Sequence, residues 1–199
     1  VRLRLDVNGA WDAVTAAERL RAIEDVGLEL VEQPVAPGPI TEVAATLVRL
    51  RAETGARLAL DESVVSMAAV RTLLAAGAVD ALVVKPARVG GPVVALAIAE
   101  AARAAGVAIV ISTLLETGAG LLAAMTTAAM LARDTGPDGA AMAHGLGTGV
   151  GLATDLVGGR SVVTGGEAML PAGPGIGLAA MLDLAAVERS AVEQRGAWS

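Results

Sequence analysis

Four short apolar runs in this 199-residue chain each end in a charged residue. "LDVNG" carries Asp6, "LVEQP" carries Glu32, "ALDES" carries Asp61, and "LVVKP" carries Lys85. A lone aspartate at the end of such a run is ordinarily a turn former or a helix cap. Glutamate is a poorer turn former, which makes Glu32 costly unless it has a partner. Three carboxylates brought to one point would repel one another and raise their own pKa values. A hard divalent cation removes that difficulty. A ligand set of oxygens alone, without His or Cys, favours Mg²⁺ over zinc, with Mn²⁺ as a substitute. Lys85 follows "ALVV", so its stem is expected to be buried. The bland reading is a snorkelling lysine paired with Asp61 or Glu62. The chemical reading is a catalytic ammonium beside the metal.

Such a site needs elements that bring these residues together. The chain alternates β-like runs ("VRLRLDVN", "LELVEQP", "RLALDES", "ALVVKP", "VAIVIST", "AHGLGTGV") with helical ones. Helices are expected over 12–26 with Asp12 as cap, over 40–54 with Thr41 as cap, up to Gly77, up to Gly106, and over 118–133. Strands apolar on both faces, alternating with helices, indicate a parallel sheet of right-handed βα units. Asp6, Glu32, Asp61, Lys85, Ser112 and Gly145 are separated by 26, 29, 24, 27 and 33 residues, about one βα unit each. The expectation is an α/β fold: six units of a (β/α)8 TIM-like barrel, corresponding to strands 3 to 8. Residues 1–160 form this partial barrel. Residues 161–199 form a Gly/Pro-rich, irregular tail and a terminal helix that pack back on the body. In parallel sheets the C-terminal strand ends share one rim, where sites are built.

"STLLETGAG" ends the fifth unit. Ser112, Thr113 and nearby backbone N–H groups are candidates to meet a substrate carboxylate. Either Thr113 or Thr117 caps the following helix, and Glu116 either lines the rim or faces solvent. Asn8 follows Asp6 closely. Gly145 and Gly147 would give a substrate close access to the backbone. His144, the single histidine, reads as structural.

Composition bounds the partners. The chain is 54% hydrophobic but only 1% aromatic, with a net charge of −6. Neither a base-stacking surface nor a basic patch for nucleic acid is expected. No apolar run has the length of a membrane span, and no signal-peptide pattern opens the chain. The default expectation is a cytoplasmic enzyme acting on a small-molecule carboxylate. The chain opens inside a strand, so an exposed barrel edge is expected there. A homo-oligomer, or association with a preceding N-terminal portion, would cover it.

The pieces "DVNGAWD", "VEQP", "LDES", "KPARVGG" and "STLLETGAGLLAA", in this order and spacing, resemble the enolase superfamily in its muconate-lactonizing subgroup. "NGAW", "KPARVGG" and "HGLGTG" with "LATDLV" are most similar to o-succinylbenzoate synthases. The resemblance implies that Asp6, Glu32 and Asp61 hold one Mg²⁺. It also implies that the reaction removes a proton next to a substrate carboxylate, and that Lys85 is the lysine of the sixth barrel strand. Dehydration to o-succinylbenzoate, in menaquinone biosynthesis, is the implied activity. Racemases, epimerases and muconate cycloisomerases share similar motifs. The family's Lys-x-Lys on the second barrel strand and its N-terminal lid have no counterpart here. Arg2 and Arg4 lie in the wrong unit, and arginine is a poor base.

Overall fold

The computed structural model describes residues 2–131, 142–148, 152, 155–157 and 163–189. Five parallel strands form one sheet in chain order: β1 (Arg4–Asp6), β2 (Leu30–Glu32), β3 (Leu58–Leu60), β4 (Ala81–Val84) and β5 (Ala108–Ile111). The expected sixth strand is reduced to a single parallel bridge, Ser112 to Gly145. Gly145 is held there by its N–H on the Ile111 carbonyl at 2.8 Å and its carbonyl on the Thr113 N–H at 3.2 Å. Positions 149 and 150 of that run lie outside the described residues.

Each strand leads into a helix over the sheet's outer face. Asp12 caps α1 (Ala13–Ala22) by accepting the Thr15 N–H at 2.8 Å. Leu20 with Ala16 and Ala17 is its buried stripe, and a short 3₁₀ turn, Glu24–Val26, follows. α2 (Ile40–Thr54) starts directly after Pro39 with no side-chain cap, so Thr41 is not the cap it was expected to be. Thr41 lies inside the first turn, and a proline-set backbone enters the helix instead. Ser66 caps α3 (Met67–Ala75) through the Ala69 N–H at 3.2 Å. "PARV" folds as a single turn, α4 (Pro86–Val89), and Pro92 opens α5 (Pro92–Ala104), a first-turn position where proline suits a helix. α6 (Gly118–Met130) follows β5. Positions 132 and 133, expected to be helical, lie outside the described residues.

The core has two parts, as alternation along a strand requires. Val31, Leu58, Leu60, Leu82, Val84 and Ile111 point outward into the layer under the helices, with Leu47, Leu50, Leu73 and Ile98. Leu30, Ala59, Ala81, Val83, Ala108 and Val110 point inward and pack with Met142. Inner positions are mostly small, as fits the narrowing inside of a curved sheet.

The tail is less irregular than its composition suggests. β6 (Val163–Thr164) and β7 (Glu167–Ala168) form an antiparallel hairpin. Gly165 and Gly166 supply the two left-handed residues, φ +61° and +83°, that a two-residue turn needs. α7 (Leu178–Met181) follows, and Ile176, Leu178 and Met181 pack against the main core. The terminal segment 190–199 lies outside the described residues. Among the described residues no helix is long and apolar enough to cross a membrane.

Candidate active site

Parity builds the site. Residues 30 and 32, 59 and 61, 81, 83 and 85, and 108, 110 and 112 lie on the same face of their strands. The inward direction of Leu30, Ala59, Ala81, Val83, Ala108 and Val110 is therefore continued at the rim by Glu32, Asp61, Lys85 and Ser112. Asp6 is the register partner of Glu32. Gly9 after Asp6, Pro34 after Glu32 and Pro86 after Lys85 let the chain leave the sheet just beyond the charged side chain.

Asp61 is buried at 4% exposure and carries two cations. Lys85 Nζ pairs with its Oδ2, and Arg88 Nη1 stands 3.1 Å from its Oδ1. Asp6 Oδ1 accepts the Asn8 N–H at 2.9 Å, which folds Asn8 into a left-handed turn over the strand end. Glu32 is pushed up to about 7. Its burial is the main cause, and the charges of Asp6, Asp61 and Glu62 add to it against the opposing charge of Lys85. Glu62 contributes a fourth acid, and its Oε2 is buried with no hydrogen-bond partner among the described residues.

These observations test the site for a divalent ion. The donor set is all carboxylate, and Glu32 is raised first by burial and then by the like charges of Asp6, Asp61 and Glu62; an all-oxygen acidic set fits a hard cation. The side chains are not gathered at one point, however. Among the described residues no three acids or other metal-ligating groups stand close enough to hold an ion together, and Asp61 is turned toward Lys85 and Arg88.

The fifth strand end is more structural than its sequence suggests. The Thr113 hydroxyl lies 3.2 Å from the Gly145 carbonyl and 2.7 Å from the Thr148 hydroxyl, and the Ser112 hydroxyl donates to the same carbonyl at 3.3 Å. Glu116 Oε1 folds back on the Leu114 N–H at 3.1 Å. The N-terminus of α6 is met by Asp155, whose Oδ2 accepts the Gly118 N–H at 2.6 Å. Neither threonine caps the helix with its side chain. A Cβ on Gly145 would stand 2.7 Å from the Ser112 hydroxyl, so glycine there lets two backbones close up; Gly147 faces open space. His144 Nδ1 accepts the Ile111 N–H at 3.0 Å and ties the Gly145 segment to β5.

Sequence reasoning missed Arg88 and Gln33, and weighed Glu62 only as a possible partner of Lys85, which pairs with Asp61 instead. Arg88 and Glu62 sit within three residues of Lys85 and Asp61, and that proximity was the available signal. Arg2 and Arg4 were read as strand residues in the wrong unit to stand for the Lys-x-Lys pair. They ion-pair with Glu29 at 2.9 and 2.6 Å, and Arg4 Nη1 reaches the Ala143 carbonyl at 2.8 Å.

A parallel βα sheet bending round a small-residue interior, with acids and a lysine at successive C-terminal strand ends, defines a barrel enzyme scaffold. A profile of the enolase C-terminal domain-like family matches residues 1–183, and the chain belongs to that family. The chloromuconate cycloisomerase of Pseudomonas putida is 35% identical over 176 residues, 88% of this chain and 45% of that protein. The o-succinylbenzoate synthase of Thermobifida fusca is 37% identical over 130 residues, 65% of this chain and 38% of that protein. The solved muconate lactonizing enzyme from Pseudomonas putida superposes with a TM-score of 0.80 at 30% identity, over 95% of this chain and 49% of that one. The chain thus spans half or less of the length of these relatives, and its similarity falls within the muconate-lactonizing subgroup.

Proposed function

We propose that this chain carries the metal-binding half of a site where a small carboxylate substrate loses the proton next to its carboxylate. One observation supports this most. Glu32, Asp61 and Lys85 continue the inner face of consecutive strands, with Asp6 in register beside Glu32. Asp6, Glu32 and Asp61 would hold Mg²⁺, or Mn²⁺ in its place. When bound, the ion supplies Lewis-acid stabilisation of the charge that develops on the substrate carboxylate.

The chain's own residues do the rest. Lys85 is the single lysine among 15 Lys and Arg residues, in a chain that uses arginine everywhere else. An amine that is compact and can release a proton is what arginine cannot supply. Lys85 therefore presents an ammonium to the developing charge or carries the proton, and Asp61 holds it in place. Arg88 offsets part of the negative charge at Asp61. Asn8 and Gly147 would be contacts for the rest of the substrate, whereas Ser112 and Glu116 already bond the chain itself.

The particular reaction we propose is dehydration to o-succinylbenzoate, supported by the quoted motifs and by the similarity to the Thermobifida fusca enzyme. A second reading, cycloisomerisation of a muconate, is favoured by the longer match to the Pseudomonas putida protein. The test incubates the intact protein and Mg²⁺ with the cyclohexadiene carboxylate precursor, with muconates, and with N-acyl amino acids. Release of o-succinylbenzoate supports the first reading. Lactone from a muconate, or racemised amino acid, replaces it with another member of the subgroup. Asp61→Asn that leaves metal binding and every activity unchanged would mean a non-catalytic protein.

A further inference from the structure

Gln33, next to Glu32, is 0% exposed, and every polar atom it has is used. Its backbone N–H donates to the Ala59 carbonyl at 2.9 Å, and its carbonyl accepts the Gly9 N–H at 2.8 Å. Its side-chain Oε1 accepts the N–H of Asp61 at 3.2 Å and of Ser63 at 3.3 Å. Its Nε2 donates to the Val35 carbonyl at 2.8 Å and the Ser63 hydroxyl at 3.0 Å. One residue thus joins the loops that follow β1, β2 and β3, which are the three loops that start at Asp6, Glu32 and Asp61.

Its backbone has φ +41°, in the left-handed region that long side chains rarely adopt. That conformation turns the residue after Glu32 back across the sheet, so that its amide reaches the β3 loop. A residue serving only to fill the core would be apolar, because a buried amide gains little over well-packed hydrocarbon unless it has groups to satisfy. The groups satisfied here include the main-chain amide of Asp61 itself. Fixing that amide fixes where the Asp61 side chain leaves the backbone relative to Glu32.

We propose that Gln33 is a positioning residue for the cation site, setting the separation of Glu32 and Asp61 through its hydrogen bond to the Asp61 amide. This rests on the metal-binding reading given above. Residues that orient metal ligands typically change metal affinity by about 10–100-fold when altered.

The experiment measures Mn²⁺ affinity by EPR in the intact protein, together with the melting temperature. Gln33→Met keeps the side chain's length and removes its hydrogen bonds; it is expected to weaken Mn²⁺ binding about tenfold or more. Ile98→Ala, in the core beneath α5 and away from the rim, lowers the melting temperature and leaves affinity within about twofold, which separates positioning from general destabilisation. Gln33→Glu keeps an oxygen for both loop amides, and its affinity stays within about threefold of the parent, far from the loss expected of an altered metal-orienting residue. It decides the matter if Gln33→Met does not fold. Parent-like affinity in Gln33→Met, or an equal loss in Gln33→Glu, overturns the proposal while the metal site stands. A parent protein that does not bind Mn²⁺ overturns the metal reading, and this proposal with it.

Discussion

Glu29 stands just before β2 and Glu32 ends it, one at the floor of the sheet and one at its rim, and their carboxyls move in opposite directions. Burial opposes ionisation of Glu29, but Arg2 and Arg4 bond to it and attract its charge, and together they hold it below the usual carboxylate value. Glu32 is raised to about 7 by burial and by Asp6, Asp61 and Glu62. The floor repeats its pattern at Arg51, whose guanidinium pairs with Asp80 beside the Leu58 N–H that Asp80 also accepts. Acids at the floor are matched by arginines; among the described residues, acids at the rim outnumber the two cations, Lys85 and Arg88, that pair there. The floor's charges close the fold, and the rim's unbalanced charge is what a cation and a carboxylate substrate would complete.

Changes at the two ends should therefore separate activity from stability. The largest effect is expected from Lys85→Arg. It keeps the charge on Asp61 and removes the amine that can release a proton, so activity should fall by about 10²–10⁴ while Mn²⁺ affinity changes little. Retained activity would assign Lys85 to the floor's kind of role. Next is Glu29→Gln, which leaves Arg2 and Arg4 facing a neutral amide in a pair whose acid side chain is only 7% exposed. Chemical denaturation should show a loss of about 1–3 kcal/mol, with activity intact. An activity loss larger than the stability loss would blur the boundary between floor and rim.

His144 gives a pH test of the contact between β5 and the Gly145 segment. Burial, and then the charge of Arg4, lower its pKa below 6.5. The unfolded chain takes up a proton near 6.5, the folded chain only at lower pH, so stability is present above 6.5 and lost as pH falls below it. The loss is at most about 1.4 kcal/mol per pH unit. Glu32 acts with the opposite sign in this window, so the difference between the parent and His144→Gln across pH 5 to 7.5 isolates the imidazole. A difference that does not vary with pH would contradict the assignment. The smallest effect is expected from Ser66→Ala, which removes the α3 cap at the rim end and should cost about 1 kcal/mol without changing metal affinity. It checks that a rim location alone does not make a residue functional.

The strand ends were legible because each joins a short apolar run to a polar residue and a turn former, and the 24- to 33-residue spacing fixed which of them share a rim. Asp12 as a cap, and the helix positions, followed from local chemistry. What stayed hidden depends on the curvature of the sheet. Nothing in "VEQP" shows that Gln33 turns left-handed and bonds the Asp61 amide 28 residues on. The pairing of Arg4 with Glu29, and of Asp155 with the start of α6, likewise needs the fold before the partners meet. Thr41 was misjudged because Pro39 sets the helix entry without a side-chain bond. Ser112, Thr113 and Gly145 have the residue types of a substrate cradle, and the same hydrogen-bonding capacity here joins β5 to the segment beside it.

The most direct test counts Mn²⁺ bound per chain by EPR in the intact protein and in Glu32→Gln. One ion per chain in the parent, lost in the variant while its melting temperature holds, is the result expected if the rim's carboxylates share a cation. No bound ion in the parent, or an unchanged ion in Glu32→Gln, would contradict it.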